Sequence, residues 1–281
     1  MNSRFDRLEE VLERCTNYGG RYLAACCPFH DDENPSFFVY SSGYYRCAAC
    51  GARGRAEDLL SLLSGRVIKY KRENLCNPFT IWLKKDSLKN VLHQAWRFTN
   101  RNLIYERYYL NRGIDSKFRK ALGLGYRDGW YTIPFFSPDG KVIGGAARAD
   151  PEIGGRRKYM LPGGQSTDLL YCPNWRLIEH AKVIVVTFGY FDAITLAIHR
   201  VAAFSSVSGK QVNPILFDPF RKPIYIWPDK GEEIEGHRVA SRLGWRGHII
   251  EPNWPDDSKD VNELWVKHPG LFLQLIEEYR I

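Results

Sequence analysis

The stretch from Lys182 to Leu196, KVIVVTFGYFDAITL, decides the reading of the chain. Its first apolar run, Val183 to Val186, is wholly β-branched and ends at a turn around Gly189. Asp192, Ile194 and Leu196 then follow in a segment of helical character. This pattern predicts a buried strand that enters a helix through a glycine turn. Ligands of parallel α/β sheets sit beyond the carboxyl ends of the strands, so Phe188-Gly189-Tyr190 is expected at a site.

Working outward, Val201–Ser205, Ile224–Trp227 and His248–Ile250 read as further strands, Gly236–Leu243 as a helix, and Lys259–Leu264 as the opening of a last helical region. Strands alternating with helices predict a parallel sheet. Upstream, Tyr131–Phe136 and Lys141–Arg148 read as two strands joined by the turn Ser137-Pro138-Asp139-Gly140. Ser87–Asn111 is expected to be one long helix or two, stopped at Arg112-Gly113, and Ser3–Cys15 an amphipathic helix stopped at Gly19-Gly20. Ala56–Leu63 reads as a short helix, and the basic, irregular stretch Arg66–Thr80 as a linker.

Near the amino terminus, Cys27-Pro28-Phe29-His30 and Cys47-Ala48-Ala49-Cys50 form two knuckles separated by sixteen residues. Two-residue spacers let both ligands of a knuckle reach one tetrahedral ion, and an intervening β-hairpin would join the knuckles. Cys27, His30, Cys47 and Cys50 are therefore expected to hold a structural zinc with no open coordination position, with Cys26 as an alternative to Cys27. Cys15, Cys76 and Cys172 read as ordinary thiols, because a disulfide framework does not suit a cytosolic chain of this size.

The 281 residues are 44% hydrophobic, enough for two or three small cores, and carry a net charge of +8. Between Arg66 and Tyr126 there are 14 basic residues against 4 acidic ones, whereas from Asp229 onward 7 basic residues face 11 acidic ones. A basic middle beside an acidic end suggests polyanion binding next to a place that gathers cations. No apolar run of about 18 residues exists, and MNSRFDRLEE is too charged for a signal peptide, so the expected location is the cytoplasm or nucleoid, without a membrane.

The strand followed by Gly189-Tyr190-Phe191-Asp192 resembles the first motif of the toprim fold, shared by bacterial-type DNA primases, topoisomerases and certain nucleases. Phe188 stands where that motif has a catalytic glutamate, and Glu179 is a candidate substitute. The zinc segment, with Asn34-Pro35-Ser36-Phe37, Tyr45-Arg46-Cys47, Cys50-Gly51 and Gly54, is similar to the amino-terminal Cys-His-Cys-Cys ribbon of bacterial and phage DnaG-type primases. Arg112-Gly113-Ile114, Val142-Ile143-Gly144, Arg148 and Arg157-Lys158-Tyr159 resemble the primase core that follows that ribbon.

The resemblance implies a zinc ribbon that engages single-stranded template through Tyr40, Tyr44, Tyr45 and Arg46, with Phe37 and one of the tyrosines filling the ribbon core. It implies Arg148 and Lys158 along a template and nucleotide groove. Asp229 and Asp260 match the toprim aspartates, Gly231 occupies the place of another, and Glu232, Glu233 and Glu235 crowd just after it. Asp229 and Asp260, with Glu232 or Glu233, are thus the expected catalytic carboxylates, holding magnesium or manganese. The expected organisation is a ribbon over residues 1–65, a linker over 66–86, a basic subdomain of the core over 87–178 and a toprim-like subdomain over 179–281. The implied function is RNA primer synthesis from ribonucleotides on single-stranded DNA, for a phage or mobile element. The alternative is a non-catalytic homologue that binds single-stranded DNA and recruits replication proteins. The chain has no Gly-x4-Gly-Lys-Ser/Thr loop, so a helicase is expected as a separate partner.

Overall fold

The computed structural model describes residues 8–10, 12–28, 34–49, 52–56, 59, 77–84, 86–151 and 158–281. The chain divides into two compact units. The first comprises Met1–Arg107, Leu124–Thr132 and Ala147–Met160; the second comprises Tyr108–Gly123, Ile133–Ala146 and Leu161–Ile281.

The first unit opens with an antiparallel sheet of β1 (Thr16–Asn17), β2 (Tyr22–Ala25), β3 (Phe37–Tyr40), β4 (Tyr44–Cys47) and β5 (Arg53–Arg55), in that spatial order. The alternation of side chains about this sheet makes one face a small core, with Leu23, Phe37, Val39, Tyr45 and Cys47 buried alongside Leu8, Leu12 and Leu59. The expected helix to Cys15 ends earlier. Arg14 takes a left-handed φ of 50°, and Thr16–Asn17 pair with Leu23–Ala24 as an added edge strand. The start of that helix, residues 3–7, lies outside the described residues, as does most of the Ala56–Leu63 helix.

Helix α1 (Pro78–Trp82) falls inside the stretch expected to be an irregular linker, whose earlier residues lie outside the described ones. Asn77 caps it, its side chain accepting from the Phe79 N–H, and proline starts it without forfeiting a hydrogen bond. Phe79 and Trp82 are buried with Val91, Trp130 and Ala147, which makes α1 part of the unit's core. Helix α2 (Leu88–Arg101), capped by Ser87, buries Val91, Leu92, Ala95 and Thr99. It runs so close to β6 (Gly125–Arg127) that a Cβ on Gly125 would lie 2.4 Å from the Trp96 backbone nitrogen. Strands β6, β7 (Trp130–Phe136), β8 (Val142–Ala149) and β9 (Tyr159–Met160) form a four-stranded sheet in sequence order.

The second unit contains helices α3 (Arg107–Leu110) and α4 (Ser116–Ala121), of which α3 begins at the last residue of the first unit. Its main sheet has the order β10 (Leu170–Tyr171), β12 (Ala203–Ser206), β11 (Ile184–Thr187), β13 (Ile224–Trp227) and β14 (Gly247–Ile249). Only β10 is antiparallel; β12, β11, β13 and β14 run parallel, as the alternating pattern requires. Helix α5 (Trp175–His180) precedes β11, α6 (Tyr190–Ile198) follows it, α7 (Glu233–Arg242) joins β13 to β14, and α8 (Val261–Lys267) and α9 (Pro269–Tyr279) close the chain.

All four β11 residues are buried, as are Tyr190 to Leu196 of α6. A strand apolar on both faces and a helix apolar all round are stable only when covered on every side. Successive β11 residues face opposite ways, so Ile184, Val186 and Phe188 enter one core cluster with Phe204, Phe217, Ile226 and Val239. The fold is thus mixed α/β, a small antiparallel sheet followed by a larger body with a mostly parallel one.

Candidate active site and nucleic-acid interface

The second unit gathers three aspartates from three different strand-to-helix junctions. Asp229 directly follows the segment that leaves β13, Asp260 caps α8 with its Oδ1 accepting the Glu263 N–H at 2.8 Å, and Asp192 lies in the first turn of α6. Asp192 is 4% exposed. Burial first, then the charges of Asp260 and Asp229, push its carboxyl well above the usual carboxylate range. Oδ1 of Asp192 accepts the Asn262 N–H at 2.9 Å. Its Oδ2 lies where a Cβ on Gly189 would be, 2.1 Å from that position, so only glycine leaves room for this carboxylate. Asp192 thus meets the charges of Asp260 and Asp229 at the carboxyl end of the sheet, and these oxygens are of the hard type a divalent cation takes, although as placed no three acidic, histidine or cysteine side chains among the described residues close on one ion.

Asp192 was not among the residues expected to act from sequence. The signal was present: an isolated acid in an otherwise apolar helix, three residues after a glycine. Asn262 joins the same arrangement. Its Nδ2 donates to the Arg112 carbonyl at 2.8 Å and to Thr195 Oγ1 at 2.9 Å, while its Oδ1 accepts from Arg112 Nη1 at 2.9 Å. The Arg112 guanidinium also lies over the Phe191 ring, 4.5 Å from its centroid. These bonds consume the Asn262 side chain, which makes it a pin between α8 and α6.

Phe188 continues the apolar row of β11 into the core and is 8% exposed. Glu179 does not replace the missing glutamate. It lies on α5 ahead of the amino end of β11, its carbonyl accepts from Lys222 Nζ just before β13, and its own side chain is exposed beside His180. Gly231 has φ 86°, a left-handed conformation an aspartate would adopt only with strain, which accounts for glycine in that place. Of the crowded glutamates, Glu233 accepts the Gly231 N–H at 2.9 Å and Glu235 pairs with Arg238 at 2.5 Å. Glu232 faces Lys210 at 3.7 Å.

In the first unit, Cys27 and Cys47 are both buried, and the register Ala25–Phe37–Cys47 across three strands places them at one end of the sheet. Cys47 Sγ lies 3.2 Å from Ser36 Oγ, and its N–H donates to the Ala52 carbonyl at 2.7 Å, closing a knuckle turn. Two buried thiols at one end of this sheet fit a zinc centre. His30 and Cys50 lie outside the described residues, and no group of three potential ligands occurs among the described ones. Cys26 is also buried, its N–H donating to the Glu13 carbonyl.

Tyr45 corrects the expected template contact. It is 3% exposed, packed 5.1 Å from Phe37, and its ring fills the space above Gly54, so it is a core residue. The opposite face carries the exposed residues. Register puts Phe38 beside Arg46 and Arg46 beside Arg53, with Tyr44 beside Arg55 and Tyr22 beside Tyr40. Tyr18 stacks on Tyr22 at 4.8 Å, extending an aromatic and arginine surface. Elsewhere in this unit Arg148 is buried, its Nη1 donating to Tyr159 Oη at 3.1 Å, whereas Lys158 is exposed with its ammonium 5.7 Å from the Tyr159 ring centroid. Arg157 lies outside the described residues. Among the described residues no helix is long and apolar enough to cross a membrane.

A buried pair of thiols on a small antiparallel sheet, followed by a mostly parallel sheet with aspartates beyond its carboxyl ends, defines a zinc-ribbon-type module followed by an α/β body. Residues 8–90 match the CHC2 zinc finger of DnaG. The chain is 29% identical over 340 aligned positions to the DNA primase of Clostridium acetobutylicum, an alignment covering 93% of this chain and 56% of that protein. It is 35% identical over 91 residues to the DNA primase of Chlamydia trachomatis, covering 28% of this chain and 15% of that one. Among solved structures it resembles the zinc-binding and RNA polymerase domains of the Aquifex aeolicus primase, with a TM-score of 0.55 and 21% identity over 99% of this chain and 83% of that one. A DNA primase domain from Pseudomonas aeruginosa gives a TM-score of 0.52 at 16% identity, covering 68% of this chain and 78% of that one. The chain is a relative of the DnaG-type DNA primases. It spans about half the length, or less, of the curated relatives named here.

Proposed function

We propose that the chain joins ribonucleotides into short primers on a single-stranded DNA template, with a toprim-like site in which Asp192, Asp229 and Asp260 hold magnesium or manganese. The observation that carries this reading is the buried Asp192 carboxyl, raised well above its ordinary range first by burial and then by the charges of Asp260 and Asp229. Charging the buried Asp192 beside Asp260 and Asp229 costs stability that a bound cation would recover. When bound, such an ion would orient triphosphate oxygens and stabilise developing charge.

The chain's own residues supply the rest. Asp192 is seated over Gly189 and held by the Asn262 N–H, which fixes its carboxylate at the turn after β11. The surface of Tyr22, Tyr40, Tyr44, Arg46, Arg53 and Arg55 suits a single strand, with aromatic faces for bases and guanidinium groups for phosphates. Arg148 and Lys158 are assigned to the template and nucleotide groove of the core, Arg148 as the buried member steadied by Tyr159. Cys27, His30, Cys47 and Cys50 would hold the structural zinc that fixes the ribbon. A separate helicase would supply unwound template.

Primer synthesis on single-stranded DNA, with labelled ribonucleotides and magnesium or manganese, tests the reading. Template-dependent products that vanish in Asp229→Ala and Asp192→Asn support it. Single-stranded DNA binding without any product supports instead a non-catalytic recruitment factor, the reading that Phe188 and Gly231 favour.

A further inference from the structure

The carboxyl end of the parallel sheet also carries a cationic side chain, Lys210. Lys210 lies on the loop after β12, Glu232 on the segment after β13, and Nζ of the lysine is 3.7 Å from Oε1 of the glutamate. β11 runs between β12 and β13, all three parallel. The pair therefore bridges the two loops that flank the end of β11, where the chain turns through Phe188 and Gly189 toward Asp192. That junction is also the switch point of the sheet, since β11 connects to β12 on one side and β13 lies on the other.

The bridge is loosely held. The side chains of Lys210 and Glu232 are 54% and 32% exposed, and an exposed pair at this separation contributes little to stability. Gly209, with φ 67°, precedes the lysine and has no atom within 4 Å of the position a Cβ would take. Glu232 stands at the amino end of α7 without making a capping hydrogen bond. Its neighbours Glu233 and Glu235 are engaged with the Gly231 N–H and Arg238. Lys210 and Glu232 can thus exchange partners at small cost.

We propose that Lys210 grips the phosphates of an incoming nucleoside triphosphate, which arrives with its own divalent ion and separates the lysine from Glu232. This inference rests on the nucleotidyl-transfer reading of the same site. An apolar residue at 188 and an ammonium at 210 both lower the negative charge available to a free cation at the end of β11. The same two residues favour an ion already chelated by a triphosphate, whose remaining negative oxygens meet the ammonium. The glutamate released from Lys210 adds its carboxylate to the hard-oxygen surroundings of that ion.

The test uses the full zinc-loaded chain and two probes: magnesium–GTP by calorimetry, and manganese alone by electron paramagnetic resonance. Lys210→Gln should bind magnesium–GTP about tenfold or more weakly, the loss expected for one charge-assisted contact. The variant should bind manganese alone as tightly as the parent or more tightly, and Lys210→Arg should recover most of the nucleotide affinity. An unchanged melting temperature would confirm that the loss is not unfolding. If the parent binds magnesium–GTP and Lys210→Gln matches it within twofold, the role of Lys210 is overturned while the nucleotide reading stands. Weakened binding of single-stranded DNA without weakened nucleotide binding overturns it equally. If the parent binds manganese but no nucleotide, the nucleotide reading fails and this inference falls with it.

Discussion

The backbone N–H of Asn262 donates to Oδ1 of Asp192 across 2.9 Å, tying the first turn of α8 to the first turn of α6. Seventy positions apart in sequence, these residues fix where the α6 carboxylate lies relative to Asp260, two positions before Asn262. The contact is made by backbone on one side, so it survives substitution of Asn262. The Asn262 side chain does not survive it: the Arg112 carbonyl and guanidinium would each lose a hydrogen bond, and Thr195 Oγ1 would keep only the Phe191 carbonyl. Asn262→Ala should therefore destabilise the chain by about 2–3 kcal/mol, the penalty of stranding buried polar groups. Urea denaturation measures this, and a loss under about 0.5 kcal/mol would show that the pin is dispensable.

Asp192 also gives the chain a pH dependence. Its folded pKa is raised, so between the ordinary carboxylate value and the folded one the native state binds a proton that the unfolded chain has lost. This group's contribution to stability is fully present below the unfolded pKa and is lost as pH rises through the folded one. Without divalent ions, stability should fall over that window more steeply in the parent than in Asp192→Asn. Added magnesium or manganese should restore the parent above it. Denaturant midpoints at stepped pH, with and without metal, read both effects.

Much of this arrangement was legible in the sequence, and the parts that were not share a cause. The β-branched run of β11, the glycine turn and the alternating strands gave the parallel sheet because local period alone decides them. Ile224–Trp227 was read with the bounds the structure has. Asp192 escaped notice because its burial and its two charged neighbours arise only when three distant junctions meet. Tyr44 and Tyr45 could not be ranked, since a strand's period says that they face opposite sides but not which side is wet. Pairing of Tyr45 with Gly54 and its contact with Phe37 settle that. The helix expected through Cys15 stops earlier, where Arg14 takes a left-handed φ and the chain turns to pair Thr16–Asn17 with the edge of β2.

Phe188→Glu tests whether the apolar residue merely vacates a ligand position. The side chain belongs to the core row of Ile184 and Val186, so a glutamate would either bury a charge there or abandon the packing. The variant should lose about 2–4 kcal/mol of stability and gain no primer synthesis. A variant as stable as the parent, with tighter manganese binding, would show instead that position 188 opens onto the carboxylates.

The exposed ribbon face predicts how template binding responds to salt. Arg46 and Arg53 are paired across β4 and β5, and each guanidinium that neutralises one phosphate releases condensed counterion. Arg46→Ala should weaken single-stranded DNA binding across all sequences and reduce the slope of log affinity against log salt by about 0.7, the value for one phosphate contact on a single strand. Tyr44→Ala should weaken binding by about 1–3 kcal/mol through lost stacking while leaving the salt slope unchanged. Tyr45→Phe removes a hydroxyl from the buried face and should leave both affinity and slope as they were. Fluorescence titration of a labelled oligonucleotide at several salt concentrations separates the three variants, and a large affinity loss in Tyr45→Phe would move the binding face to the other side of the sheet.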